Sequence, residues 1–213
     1  MALLQLALDF IHIDDAIKVA SITQKYIEII EAGTPLIKSE GIRVVKILKK
    51  KFKDKQIVAD LKIMDAGDLE AKMAIEAGAD IISVCSQASL ETIAGAIEET
   101  RRHNKKVVID LIGSKDKILS AKQVMHLSPD LFCLHTGLDE QTKGKKPFGI
   151  LKDFIKEINM PYCIAGGIMP EDIPLIMPFK PSIIIIGGYI RKAKRPEEAA
   201  KTIKNAIDNW KSV

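Results

Sequence analysis

A lysine stands between two aspartates in the segment Asp60-Leu-Lys62-Ile-Met-Asp65. A lysine among carboxylates stays protonated and can stabilise a developing oxyanion. Asp60 and Lys62 are two positions apart, so on an extended segment both side chains point to the same side. Glu31 supplies a second carboxylate beside Asp60, and such a pair suits a hard cation such as Mg²⁺, which prefers oxygen ligands and keeps several waters. His135 follows an apolar run and can move protons near neutral pH. Asp9 and Asp110 also close short apolar runs. The pairs Gly166-Gly167 and Gly187-Gly188 would let backbone N–H groups approach a phosphate. Each residue has a plainer reading: Asp9 as a helix cap, Glu31 as a turn acid, His135 as a hydrogen-bonded rim residue, and the glycines as turns. Convergence on one place would favour chemistry, and convergence depends on the fold.

Eight short runs, most of them with Val or Ile, at 3–8, 26–30, 56–59, 81–84, 106–109, 131–134, 162–165 and 182–186, are apolar on both faces. Strands of a buried parallel sheet read this way. Between them lie amphipathic stretches, such as Ile42, Val45, Leu48 and Phe52, or Ala199, Ile203, Ala206, Ile207 and Trp210. Each makes one apolar stripe on a helix. Acids and prolines mark helix starts at Asp14-Asp15, Pro170-Glu171-Asp172 and Pro196-Glu197-Glu198. The alternation allows an open doubly wound sheet or a closed (β/α)8 TIM barrel. No GxGxxG follows the first strand, which weakens the open-sheet dinucleotide reading. Eight units without a large insertion predict a barrel, one α/β domain over 1–213. Chemistry in such barrels sits at the carboxyl ends of the strands. Asp9, Glu31, Asp60, Cys85, Asp110 and His135, and both glycine pairs, fall there.

The composition narrows the class further. With 47% hydrophobic and 28% charged residues, the chain reads as a globular protein with a substantial core. Its net charge is +4, and the lysine runs 49–51 and 143–146 read as solvated faces or loops. Aromatics make up 5%, too few for a stacking platform, so nucleic acid is not an expected partner. Cys85, Cys133 and Cys163 lack a CxxC spacing and read as buried reduced thiols. No run approaches a membrane span, and the apolar start has no basic leader before Asp9. A cytoplasmic protein is expected.

Asp60-Leu-Lys62-Ile-Met-Asp65 resembles the DxKxxD pattern of the orotidine 5′-monophosphate decarboxylase suprafamily. Longer stretches run through nearly the whole chain in order: Leu6-Ala-Leu-Asp9, Ile30-Glu31-Ala-Gly33-Thr-Pro35, Glu76-Ala-Gly-Ala-Asp80, Val108-Ile-Asp110-Leu-Ile-Gly113, His135-Thr-Gly137-Leu-Asp139-Glu-Gln141 and Ala165-Gly-Gly167-Ile. Together they are similar to the 3-hexulose-6-phosphate synthase family, aldolases that join formaldehyde to ribulose 5-phosphate. The nearest alternative is 3-keto-L-gulonate-6-phosphate decarboxylase. Those enzymes typically carry Glu, Arg and Thr where this chain has Asp110, Leu138 and Ala165. The arginine would help protonate an enediolate, which a synthase must instead deliver to formaldehyde. Tyr189 and Arg191 depart from the small residues common in synthases. An orotidylate decarboxylase would leave Glu31 without a task. A non-catalytic sugar-phosphate sensor would not need Lys62 and His135, and a pentose-phosphate epimerase usually has metal-binding histidines near the second and third strands.

The resemblance implies roles. Glu31 and Asp60 ligate Mg²⁺, with Mn²⁺ as a substitute, and the metal stabilises the enediolate. Lys62, oriented by Asp9, adds positive charge. His135 moves a proton at C1 of the sugar phosphate, and Asp110 orients substrate or water. Gly167, Gly187 and Gly188 cradle the phosphate. Asp65 reaches into a neighbouring subunit, so a homodimer is implied, with a hexulose-phosphate isomerase as a functional neighbour. The segment 140–148, with three lysines, Gly144 and Pro147, is expected to act as a mobile lid.

Overall fold

The short apolar runs form eight parallel strands: β1 Leu3–Leu8, β2 Ile29–Ala32, β3 Gln56–Ile63, β4 Ile81–Cys85, β5 Lys106–Asp110, β6 Leu131–His135, β7 Tyr162–Ala165 and β8 Ile183–Ile186. They come from a computed structural model that describes residues 2–210. Each strand pairs with the next and β1 pairs with β8, which closes the (β/α)8 barrel. The inner faces of the strands pack Ile29, Val58, Ile81, Val108, Leu131, Cys133, Cys163 and Ile183 into the barrel's centre. A larger cluster fills the layer between sheet and helices, where Phe132 and Phe154 meet edge to face at 6.3 Å. Among the described residues no helix is long and apolar enough to cross a membrane.

The second strand differs from the sequence reading. It covers Ile29–Ala32, not 26–30, because Tyr26 closes a turn onto Thr23 and Glu28 hydrogen-bonds across to Leu4. Glu31 therefore lies inside the strand, opposite Ala7 of β1 and Val58 of β3. Strands β3 to β6 likewise run past their predicted ends and take in Asp60, Lys62, Cys85, Asp110 and His135. The backbone ladder continues beneath these polar side chains, as in the bonds from Leu111 N to Cys133 O and from Thr136 N to Ala165 O. Polarity ends an apolar run without ending the hydrogen bonding.

Local features fix how the strands meet their helices. Ser89 caps the helix Leu90–Arg102 by accepting from the Thr92 amide. That helix crosses Gly67–Glu76 so closely that a Cβ on Gly67 would lie 1.9 Å from the Thr92 carbonyl oxygen. Only glycine permits the approach. It seats the helix that follows β3, and with it the segment carrying Asp60, Lys62 and Asp65.

Candidate active site

A cavity of about 440 Å³ opens at the carboxyl ends of the strands. Asp9, Glu31, Asp60, Lys62, Asp110, His135, Gly167, Gly187 and Gly188 all line it. Asp65 does not. It is exposed, and its carboxylate accepts from the neighbouring Ala66 amide.

Lys62 is the hub, and alternation along the strand explains only part of its position. The register of β3 against β4 shifts between Ala59 and Ile63, and Lys62 adopts φ 50°, a conformation non-glycine residues seldom take. The amide displaced from the ladder donates to Ser83 Oγ at 2.9 Å. The Lys62 ammonium then donates to both Asp60 oxygens, at 3.0 and 2.9 Å, and to Asp110 Oδ2 at 2.9 Å. Burial alone would lower its pKa, but Asp60, Asp110 and Glu31 outweigh burial and keep it above its ordinary value. Asp60 and Asp110 therefore orient Lys62. Asp9, the residue expected to do so, acts on it through charge, and no hydrogen bond joins the two.

Asp110 also faces His135, with Oδ2 at 2.9 Å from Nδ1. Burial opposes its ionisation, yet His135 and Lys62 prevail and hold the carboxyl well below the usual range. An ionised Asp110 favours the tautomer whose Nδ1 carries the proton, which leaves Nε2 as the basic nitrogen. Asp110 thus orients Lys62 and His135 directly; the sequence reading assigned it to substrate or water.

The other carboxylates are crowded. Burial first, then Asp60 and Asp9, push Glu31 well above its ordinary pKa, although Gln5 Nε2 donates to it at 2.6 Å. Burial and Asp60 raise Asp9 in the same way. Asp60 is held by Thr34 Oγ1 at 2.8 Å and by Ser83 Oγ at 2.7 Å. Asp9, Glu31, Asp60 and Asp110 put four carboxyl groups around the Lys62 ammonium, more than it can neutralise, and carboxylate oxygens are the donors a hard divalent cation prefers. The donor set of Glu31 and Asp60 fits such an ion.

Across the cavity, backbone shape replaces side-chain charge. Gly166 and Gly167 take φ 116° and 63°, and a Cβ on Gly166 would lie 2.4 Å from the Thr136 carbonyl oxygen. A Cβ on Gly188 would meet nothing within 4 Å, so its backbone stays open to an approaching group. Arg191 lines this side with its guanidinium over the Phe10 ring, and its Nε is buried without a hydrogen-bond partner. The predicted lid is partly structured. Leu138–Gln141 is a short helix, and Lys146 ties the following turn to the Gly167 carbonyl at 2.6 Å and to Asp172 at 2.8 Å.

Gln5, Thr34 and Ser83 escaped the sequence reading, and Arg191 entered it only as a departure from the synthase pattern. For Gln5 and Ser83 a signal existed: each is a lone polar residue at an inward position of an apolar strand, where it must find a partner.

Charged groups gathered at the carboxyl ends of a closed barrel make this a (β/α)8-barrel enzyme in layout. Residues 2–203 match the model of the orotidine 5′-phosphate decarboxylase / HUMPS family, and the chain belongs to that family. A 3-hexulose-6-phosphate synthase of Bacillus subtilis (strain 168) is 42% identical over 207 residues, covering 96% of this chain and 98% of that protein. A crystal structure of 3-hexulose-6-phosphate synthase superposes with a TM-score of 0.93 at 41% identity, covering 96% of this chain and 99% of the other. A 3-keto-L-gulonate-6-phosphate decarboxylase from Vibrio cholerae O1 biovar El Tor str. N16961 gives a TM-score of 0.87 at 29% identity, with 99% of each chain covered.

Proposed function

We propose that this chain is a carbon–carbon lyase of the aldehyde-lyase type. It condenses formaldehyde with D-ribulose 5-phosphate to D-arabino-hex-3-ulose 6-phosphate, and catalyses the reverse reaction. The observation that carries this reading is the cavity wall beside His135. Asp110, Leu138 and Ala165 all line it, so no arginine at position 138 stands ready to order water for protonation. The synthases named above are also the more similar relatives.

In this reading Nε2 of His135 removes a proton from C1 of the pentose phosphate, with Asp110 fixing the imidazole from the other side. The carbanion equivalent at C1 then bonds to the formaldehyde carbon, and the former aldehyde oxygen takes the proton. Lys62 holds positive charge beside the oxygens that become electron-rich. Glu31 and Asp60 would hold Mg²⁺, or Mn²⁺ in its place, which when bound supplies charge to polarise the substrate carbonyl. Gly167, Gly187 and Gly188 would present backbone groups to the phosphate, and the unpaired Arg191 Nε lies on the same side. Leu138 offers no proton to compete with formaldehyde.

A homodimer belongs to the proposal. Asp65 lies outside its own cavity, amid the exposed apolar Met64, Leu69 and Met73. Mixed Asp65→Ala and Lys62→Ala chains should regain activity if sites are shared, and no recovery under subunit exchange counts against sharing. The three free cysteines suit a reducing, cytoplasmic setting. A hexulose-phosphate isomerase would consume the product. The direct test is formaldehyde consumption with ribulose 5-phosphate by chelator-treated protein, with and without Mg²⁺. Magnesium-dependent consumption is expected. Its absence, with 3-keto-L-gulonate 6-phosphate decarboxylated instead, would reject the assignment.

A further inference from the structure

Cys133 has no part in the chemistry above, yet it sits beside two residues that do. The ligand atoms of Asp110, Cys133 and His135 all lie within 4.8 Å of one another. Their convergence follows from the barrel. Asp110 and Cys133 are register partners on β5 and β6, and His135 is two residues beyond Cys133, on the same face. Cys163 is the register partner of Cys133 on β7 and also lines the cavity.

From this geometry we propose a second cation site, for a thiophilic divalent ion such as Zn²⁺, built from Cys133 Sγ, an imidazole nitrogen of His135 and a carboxylate oxygen of Asp110. The donor chemistry sets it apart from Glu31 and Asp60. Sulfur and imidazole donors select zinc-like ions, and Mg²⁺ prefers all-oxygen surroundings. Sulfur, nitrogen and oxygen from three residues leave a fourth tetrahedral position for water.

Occupancy has a defined cost in bonds. In the metal-free protein, hydrogen bonding with Cys163 and burial keep the Cys133 thiol protonated. On binding, the metal–sulfur bond replaces the S–H bond and the proton leaves to solvent. A carboxylate oxygen of Asp110 turns from Lys62 and His135, which it now meets at 2.9 Å each. Lys62 keeps its two contacts with Asp60, at 2.9 and 3.0 Å. The ion therefore undoes the pairing that orients His135, so zinc binding inhibits turnover even with Mg²⁺ in excess.

Cobalt(II) is the probe, because thiolate ligation gives a charge-transfer band in the near ultraviolet. Chelator-treated protein in millimolar Mg²⁺ should develop that band with about one equivalent of Co²⁺, and Zn²⁺ should bleach it. Cys133→Ser should lose the band and bind Zn²⁺ roughly tenfold or more weaker. A wild type without the band, or a variant with band and affinity unchanged, overturns the site. Should Cys133→Ser fail to fold, alkylation of Cys133 in the unaltered protein, followed by peptide mass, carries the test. Zn²⁺ should slow the modification and Mg²⁺ should not; equal rates with the two ions refute the proposal. None of these binding readouts depends on which sugar phosphate the enzyme uses.

Discussion

Carboxylates occupy both ends of this barrel, and Asp80 at one end is treated in the opposite way to Glu31 and Asp9 at the other. At the amino end, Asp80 accepts from Lys49 at 2.6 Å, from Lys105 at 2.8 Å and from the Ile57 amide at 2.9 Å. Glu28 accepts from the Leu4 amide at 2.8 Å and pairs with Lys204 at 2.9 Å. Burial would raise Asp80, but the lysines and the amide hold its pKa below the ordinary value. At the carboxyl end, burial and neighbouring acids raise Glu31 and Asp9. One end uses each charge to fasten the beginning of a strand. The other gathers charge that the protein alone leaves under-compensated. Asp80 and Glu31 thus differ in the sign of the pKa shift, whereas Asp110, paired with Lys62 and His135, shares the sign of Asp80.

The contrast breaks most visibly at Lys62. Lys62→Met should lower kcat/KM by about a thousandfold or more, since it removes the charge beside the reacting oxygens and leaves Asp60 and Asp110 facing each other. Steady-state kinetics at saturating Mg²⁺ would check this. Activity within tenfold of wild type would deny Lys62 its place at the hub.

Glu31→Gln should lower activity by roughly a hundredfold while raising the melting temperature of the metal-free protein. The sign follows from linkage. Glu31 has a raised pKa in the folded chain, so its favourable contribution is full below its ordinary value of 4.5 and is lost as pH rises through the raised value. The stability gap between variant and wild type should therefore widen with rising pH. Added Mg²⁺ should stabilise wild type more than the variant. Melting curves across pH, with and without Mg²⁺, measure both effects.

Asp80→Asn should do the reverse. It should cost about 2 kcal/mol of stability and leave kcat/KM at moderate temperature unchanged. The depressed pKa of Asp80 means that its contribution is present above 3.8 and is lost as pH falls through the folded value. Denaturant titration at neutral and acid pH tests the point.

The smallest effect is expected for selectivity. Asp110→Glu, Leu138→Arg and Ala165→Thr together should lower condensation and raise keto-gulonate-phosphate decarboxylation, each by about tenfold, or roughly 1.4 kcal/mol in the barrier. The ratio of the two kcat/KM values, in wild type and in the triple variant, reports it. A wild type that already favours decarboxylation would place the chain with the other branch of its family.

The barrel was legible in the sequence because eight both-face apolar runs alternate with amphipathic helices. The polar strand ends were found for the same reason. Polarity misplaced β2, however, since Tyr26 and Ile27 look like strand while Glu31 looks like its end. The hub was half legible. Spacing put Asp60 and Lys62 together, but the bulge at Lys62 needs the Ser83 hydroxyl from another strand to satisfy its amide. Asp110 read as a substrate-facing acid because its contacts with Lys62 and His135 lie 48 and 25 positions away in the chain.

Proton exchange probes the charged half of the cavity most directly. Ribulose 5-phosphate is incubated in D₂O with magnesium-loaded protein and no formaldehyde, and its C1 protons are followed by NMR. Wild type should exchange one C1 proton for deuterium, and His135→Gln should exchange it at least about a hundredfold more slowly. Exchange in the variant at the wild-type rate, or none in a wild type that still condenses formaldehyde, would contradict proton removal by the His135–Asp110 pair.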